Sequence, residues 1–63
     1  MKLKELQTKY QEIELFENKE GLNFFSPPQI LKKEIAFERY GDKKVLYFEE
    51  HDDRKTTEIL IEP

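Results

Sequence analysis

Sixty-three residues with 37% hydrophobic side chains suffice for one small domain, 1-63, with a single two-layer core, and exclude a second domain. The absence of cysteine excludes disulfide staples and thiolate metal sites. A net charge of −3 argues against a dedicated duplex-binding protein, and no apolar stretch approaches the length of a membrane span or signal-peptide core, so a cytoplasmic location is expected.

One alanine stands against many Ile, Phe, Tyr and Thr, a balance that favours strands. The exception is the first segment. Leu3, Leu6 and Tyr10 recur at spacings of three and four among Lys, Glu and Gln, which predicts a short amphipathic helix over Lys2 to Gln11. No residue beyond Met1 can cap it, so its stability must come from docking.

At Glu12 the period changes to two, with Ile13 and Leu15 on one side and Glu14 and Phe16 on the other, and a strand is expected. Asn18-Lys19-Glu20-Gly21 suits a hairpin turn that sets Leu15 opposite Phe24 and Glu17 opposite Leu22. Phe16 and Phe25 then point away from Leu15 and Phe24, which means either a hairpin buried on both faces or two rings presented to a partner. Ser26-Pro27-Pro28-Gln29 breaks the hairpin and resembles a helix start, with a turn or two of helix through Lys33.

Ile35, Phe37 and Arg39 alternate with Glu34, Ala36 and Glu38 in strand fashion, the competing expectation being a helix that continues to Gly41. Gly41-Asp42 then joins strands Glu34 to Tyr40 and Lys43 to Glu50, with Phe37 facing Leu46 and Ile35 facing Phe48. Asp52 to Lys55 makes the next turn, pairing His51 with Thr56, Phe48 with Ile59 and Leu46 with Ile61. The predicted fold is α+β, a short N-terminal helix packed on a small antiparallel sheet made of a hairpin and a three-stranded meander. Its core face carries Ile35, Phe37, Leu46, Phe48, Ile59 and Ile61, covered by the helix and by Ile30 and Leu31.

The opposite face follows from the register. Its rows are Glu34, Glu49, Glu58, then Ala36, Tyr47, Leu60, then Glu38, Val45, Glu62. Like charges directly opposite cost about 0.2–1 kcal/mol per pair, so a row of three glutamates calls for a reason beyond stability. Tyr47, Leu60 and Val45 rimmed by Glu34, Glu49 and Glu58 suit a larger protein that offers a basic or mixed basic and hydrophobic surface. The expected function is therefore a small acidic protein-protein interaction module, an inhibitor or adaptor.

Two alternatives come from other classes. Lys32-Lys33, Lys43-Lys44 and Arg54-Lys55 with nearby aromatics could track single-stranded nucleic acid, although glutamates beside Tyr47 would repel phosphate. An edge strand over Thr56 to Glu62 could pair two copies into a homodimer used for assembly. No enzyme activity is expected, because open-sheet carboxylates lack the desolvation that separates acid from base. No cofactor is expected either, and His51, Asp52 and Asp53 lack the loop of a hard-cation site.

Overall fold

The computed structural model of the chain describes residues 1–18 and 28–63. They form, in order, a single 3-10 turn at Leu3–Glu5, β1 (Glu12–Glu17), β2 (Gln29–Lys32), α1 (Lys33–Tyr40), β3 (Val45–His51) and β4 (Thr56–Ile61). The sheet order is β2-β1-β4-β3. β1 pairs antiparallel with β2, β4 pairs antiparallel with β3, and the two central strands run parallel. The sheet is therefore mixed, not the antiparallel meander expected, and the α-helix follows the second strand instead of opening the chain.

The N-terminal residues have better uses for their backbone than a helix. Ten residues are too few for a helix that must stand without packing, since nucleation costs more than so short a ladder returns. Instead the Met1 carbonyl accepts from the Val45 amide, Leu3 donates to the Lys43 carbonyl at 2.9 Å, and Lys4 donates to the Gly41 carbonyl at 3.0 Å. Lys2 thus bridges Lys44 beside β3, and only one turn, with Leu3 buried, remains helical. Farther along, the Lys9 amide reaches the Glu50 carboxylate at 3.3 Å, Lys9 Nζ meets Asp52 at 2.8 Å, and the Tyr10 hydroxyl donates to the same Asp52 carboxylate.

The stretch expected as a strand from Glu34 to Tyr40 is α1. Its inward positions are Lys33, Ala36, Phe37 and Tyr40, the i, i+3, i+4, i+7 spacing of a helix face, while Ile35 lies on the outside. Glu34 in the first turn and Arg39 in the last complement the helix dipole. The first amide, of Lys33, donates to the Gln11 carbonyl at 2.7 Å. Ala36 is fully buried, and its small side chain brings the helix backbone close to the sheet. The expected Gly41-Asp42 hairpin is accordingly replaced by a helix end.

Of the expected Asn18 to Gly21 turn only Asn18 is described, its amide donating to the Ile61 carbonyl at 2.9 Å; residues 19–21, the strand after them and Ser26-Pro27 lie outside the described residues. Gln29 belongs to β2, where a helical turn was expected. Leu15 has Gln29 on one side and Ile59 on the other.

One face of the sheet carries Ile13 and Leu15 from β1 and Thr57, Ile59 and Ile61 from β4, which pair Cα to Cα and so point the same way. Leu3, Leu6 and Ala36 close over it, completing, among the described residues, a core of seven hydrophobic side chains against which Leu31, Phe37, Tyr40 and Val45 pack. Of the six residues expected at the core, Ile59 and Ile61 are fully buried and Phe37 is half-buried. Ile35, Leu46 and Phe48 are exposed, at 37%, 45% and 43%. Phe48 does pair with Ile59, but α1 packs over β1 and β2 and leaves this outer strand uncovered.

Gly41 ends the helix with ordinary φ −57, so its role is steric and not conformational. A Cβ there would stand 2.3 Å from the Phe37 carbonyl oxygen and 3.2 Å from Lys4 Cβ, where the N-terminal turn crosses the helix end. Helix propensity alone would favour Gly41→Ala by about 1 kcal/mol. The clash should reverse the sign, to a loss of about 1–3 kcal/mol in urea denaturation. Ile59→Ala, at the centre of the core, should cost about 2–5 kcal/mol in the same measurement.

Candidate functional site on the open face of the sheet

The face opposite the core is set by three adjacent strands. Phe16, Leu60 and Tyr47 lie across β1, β4 and β3 in one row, Glu14, Glu58 and Glu49 in the next, and Glu12, Thr56 and His51 in the third. Among the described residues, the helical elements pack on the other face. An apolar row and one carboxylate row thus stand side by side; the second expected row, Glu38, Val45 and Glu62, does not form, because Glu38 lies on α1 and Val45 packs against the core. The strand that completes the first two rows is β1, not residues 34–40.

Four of the six residues expected at the partner surface are together here. Tyr47 faces Leu60, and Glu49 faces Glu58. Val45 is not among them. Leu46 is an extra residue between two regular pairs, Val45 with Ile61 and Tyr47 with Leu60, and this bulge reverses the sidedness of β3. Val45 consequently packs half-buried against the core. Glu34 is also elsewhere, exposed in the first turn of α1.

Phe16, Leu60, Tyr47 and Glu58 line a hollow of about 500 Å³. Phe16 and Leu60 are half-buried on its floor, and Tyr47 is exposed at its side. A mostly apolar hollow of this size has room for a branched or aromatic side chain of a partner, and its volume also lies within the range of small-molecule pockets.

The carboxylate row holds together because cations and hydroxyls are interleaved with it. The turn at Asp52 to Lys55, with Lys55 at φ 55, places Arg54 against β1. Its Nε donates to Glu14 Oε2 at 2.8 Å and Nη2 to Glu14 Oε1 at 3.2 Å, a two-pronged grip on a nearly buried carboxylate. The Thr56 hydroxyl donates to Glu14 as well. Arg54 and Thr56 together hold the Glu14 carboxyl below its ordinary value of 4.5, against the opposing effect of burial. At the other end of the row the Tyr47 hydroxyl donates to Glu49 Oε2 at 2.9 Å, which raises the phenol's pKa. Between them, His51 Nε2 lies 2.8 Å from Glu58 Oε1 and 3.7 Å from Glu49 Oε2.

Glu14, His51, Arg54 and Phe16 are the members that sequence reasoning left out of the site. The His51 side chain is only 18% exposed, although it stands at the end of its strand. The available signal was Phe16, whose position opposite Leu15 already implied a second apolar surface on β1.

Arg54→Ala leaves the Glu14 carboxylate with Thr56 as its remaining cross-strand donor. It should lower the urea midpoint, though modestly, because Arg54 is exposed and water screens the pair. The pH dependence has a definite sign. A carboxyl depressed in the fold adds stability that is complete above its unfolded pKa and disappears as pH falls through the folded one. Urea stability followed from about pH 6 down to about pH 3 should therefore decline below the ordinary value of 4.5, and Glu14→Gln should flatten that decline.

Among the described residues no helix is long and apolar enough to cross a membrane. No family model, curated protein or solved structure matches the chain.

Proposed function

We propose that the chain is a non-catalytic docking module that acts as an inhibitor or adaptor, using the face of its sheet opposite the core to occupy a surface on a larger protein. The observation that carries this reading is the Phe16, Leu60 and Tyr47 hollow lying directly beside the Glu14, Glu58 and Glu49 row. Burying one Leu or Phe side chain of a partner in that hollow is worth about 1.5–3 kcal/mol. A Lys or Arg flanking the inserted side chain would meet Glu58 and Glu49, which favours encounter with basic surfaces and disfavours acidic ones. Size fits the same role. The molecule measures 31 × 25 × 16 Å, so its broad face is comparable to the roughly 800 Å² that each partner gives to an interface of standard size.

The test compares variants in one capture experiment from host lysate. Proteins retained by the wild-type chain should be lost from Tyr47→Ala and Leu60→Ala, each weakened about tenfold or more. They should be kept by Ile35→Ala, which alters the exposed side of α1. Replacing Glu49 and Glu58 together with Gln should slow association and reduce its dependence on salt. Unchanged affinity in all the open-face variants removes the proposal. Retention of a second copy of the chain in place of another protein, with a doubled mass in solution, replaces it with self-assembly.

A further inference from the structure

The cross-strand register forces two like charges together at one point, and the neighbouring histidine turns that point into a set of ligands. Glu49 and Glu58 are direct partners in the β3–β4 ladder, and His51 follows Glu49 by two residues, on the same face. One oxygen of each carboxylate and one nitrogen of the imidazole all lie within 4.8 Å of one another. His51 Nε2 is already 2.8 Å from Glu58 Oε1 and 3.7 Å from Glu49 Oε2. Donors about 2.0–2.2 Å from a shared zinc ion stand roughly 3.4 Å apart at the tetrahedral angle. Seating an ion there lengthens the 2.8 Å edge and shortens the longest, and Glu49, the most exposed of the three at 53%, moves while keeping its Tyr47 hydrogen bond.

We propose that Glu49, His51 and Glu58 form a binding site for a divalent transition-metal ion of the zinc class on the open face of the sheet. Three features besides proximity support it. The backbone beneath all three residues is fixed by strand pairing, so the donors are preorganised. The Tyr47 hydroxyl holds Glu49 Oε2 at 2.9 Å, an outer hydrogen bond of the kind that orients a ligating carboxylate. Arg54 directs its hydrogen bonds to Glu14 at 2.8 and 3.2 Å and makes only a 3.9 Å ion pair with Glu58 Oε1, a contact too long to be a hydrogen bond.

One imidazole nitrogen and two carboxylate oxygens make a borderline donor set. It suits Zn²⁺, Co²⁺ or Mn²⁺ better than Ca²⁺, which takes six to eight oxygens, or Cu⁺, which favours sulfur. With three protein ligands a fourth position stays open to water. Coordination takes the lone pair of Nε2, so any proton there is displaced to solvent and binding weakens as pH falls. The site does not depend on the docking proposal, because the metal alone is the ligand.

The chain contains one histidine, which makes the readout unambiguous. Zinc chloride titrated into the full chain at neutral pH should move a single set of imidazole NMR resonances, saturating at one equivalent. Competition against a chromophoric chelator gives the affinity. His51→Ala should lower it about a hundredfold, and Glu49→Gln or Glu58→Gln about tenfold or more. Glu34→Gln, on α1, should leave it unchanged, and millimolar Mg²⁺ should not compete. Because Glu49 is exposed, Glu49→Gln remains informative even if a substitution at His51 impairs folding, which circular dichroism reports. Imidazole resonances that stay fixed in millimolar zinc, or equal affinity in the wild type, His51→Ala and Glu49→Gln, overturn the proposal.

Discussion

The parallel pairing of β1 with β4 is the constraint on which the rest of the molecule depends. It joins positions 44 apart in sequence, as in Glu12 with Thr56, and Ile13, Leu15, Ile59 and Ile61 from these two strands form the centre of the core. Closing so long a loop costs conformational entropy before any contact repays it. Apolar burial along the whole length of both strands supplies the return. β2 and β3 then add to the outer edges, and the 3-10 turn and α1 cover the single face where the four central side chains point.

What was legible in the sequence was what a local turn determines. Asp52 to Lys55 fixes the β3–β4 register, and the pairings of His51 with Thr56 and Phe48 with Ile59 follow from it, as do Tyr47 with Leu60 and Glu49 with Glu58. Parallel strands share no turn, so nothing near β1 announces that β4 is its neighbour. The bulge at Leu46 was hidden for a related reason, since one extra residue leaves the alternation of the flanking sequence intact on either side. Lys33 to Tyr40 failed differently. Ile35 and Phe37 imitate a period of two, whereas Ala36, Phe37 and Tyr40 lie on one helix face, and the only alanine of the chain sits where a larger side chain would hold the helix off the sheet.

The candidate site was half legible for the same reasons. Tyr47, Leu60, Glu49 and Glu58 come from the hairpin that a turn specifies, and they are together. Val45 and Glu34 were attached through a straight strand and a strand pairing that the fold does not make. Their places are taken by Phe16 and Glu14 from the parallel neighbour. The electrostatic problem of three glutamates in a row is real, and the chain solves it locally. Arg54 neutralises one end, His51 stands between the other two, and Thr56 and Tyr47 donate hydroxyls where no cation reaches.

Placing the last strand between the first and the third also sets a timetable for biosynthesis. A ribosome delivers Glu12–Glu17 early, but the Ile-rich segment that buries its apolar side emerges only after every other element has been made. Until Thr56–Ile61 has been made, Ile13 and Leu15 lack the strand that buries them.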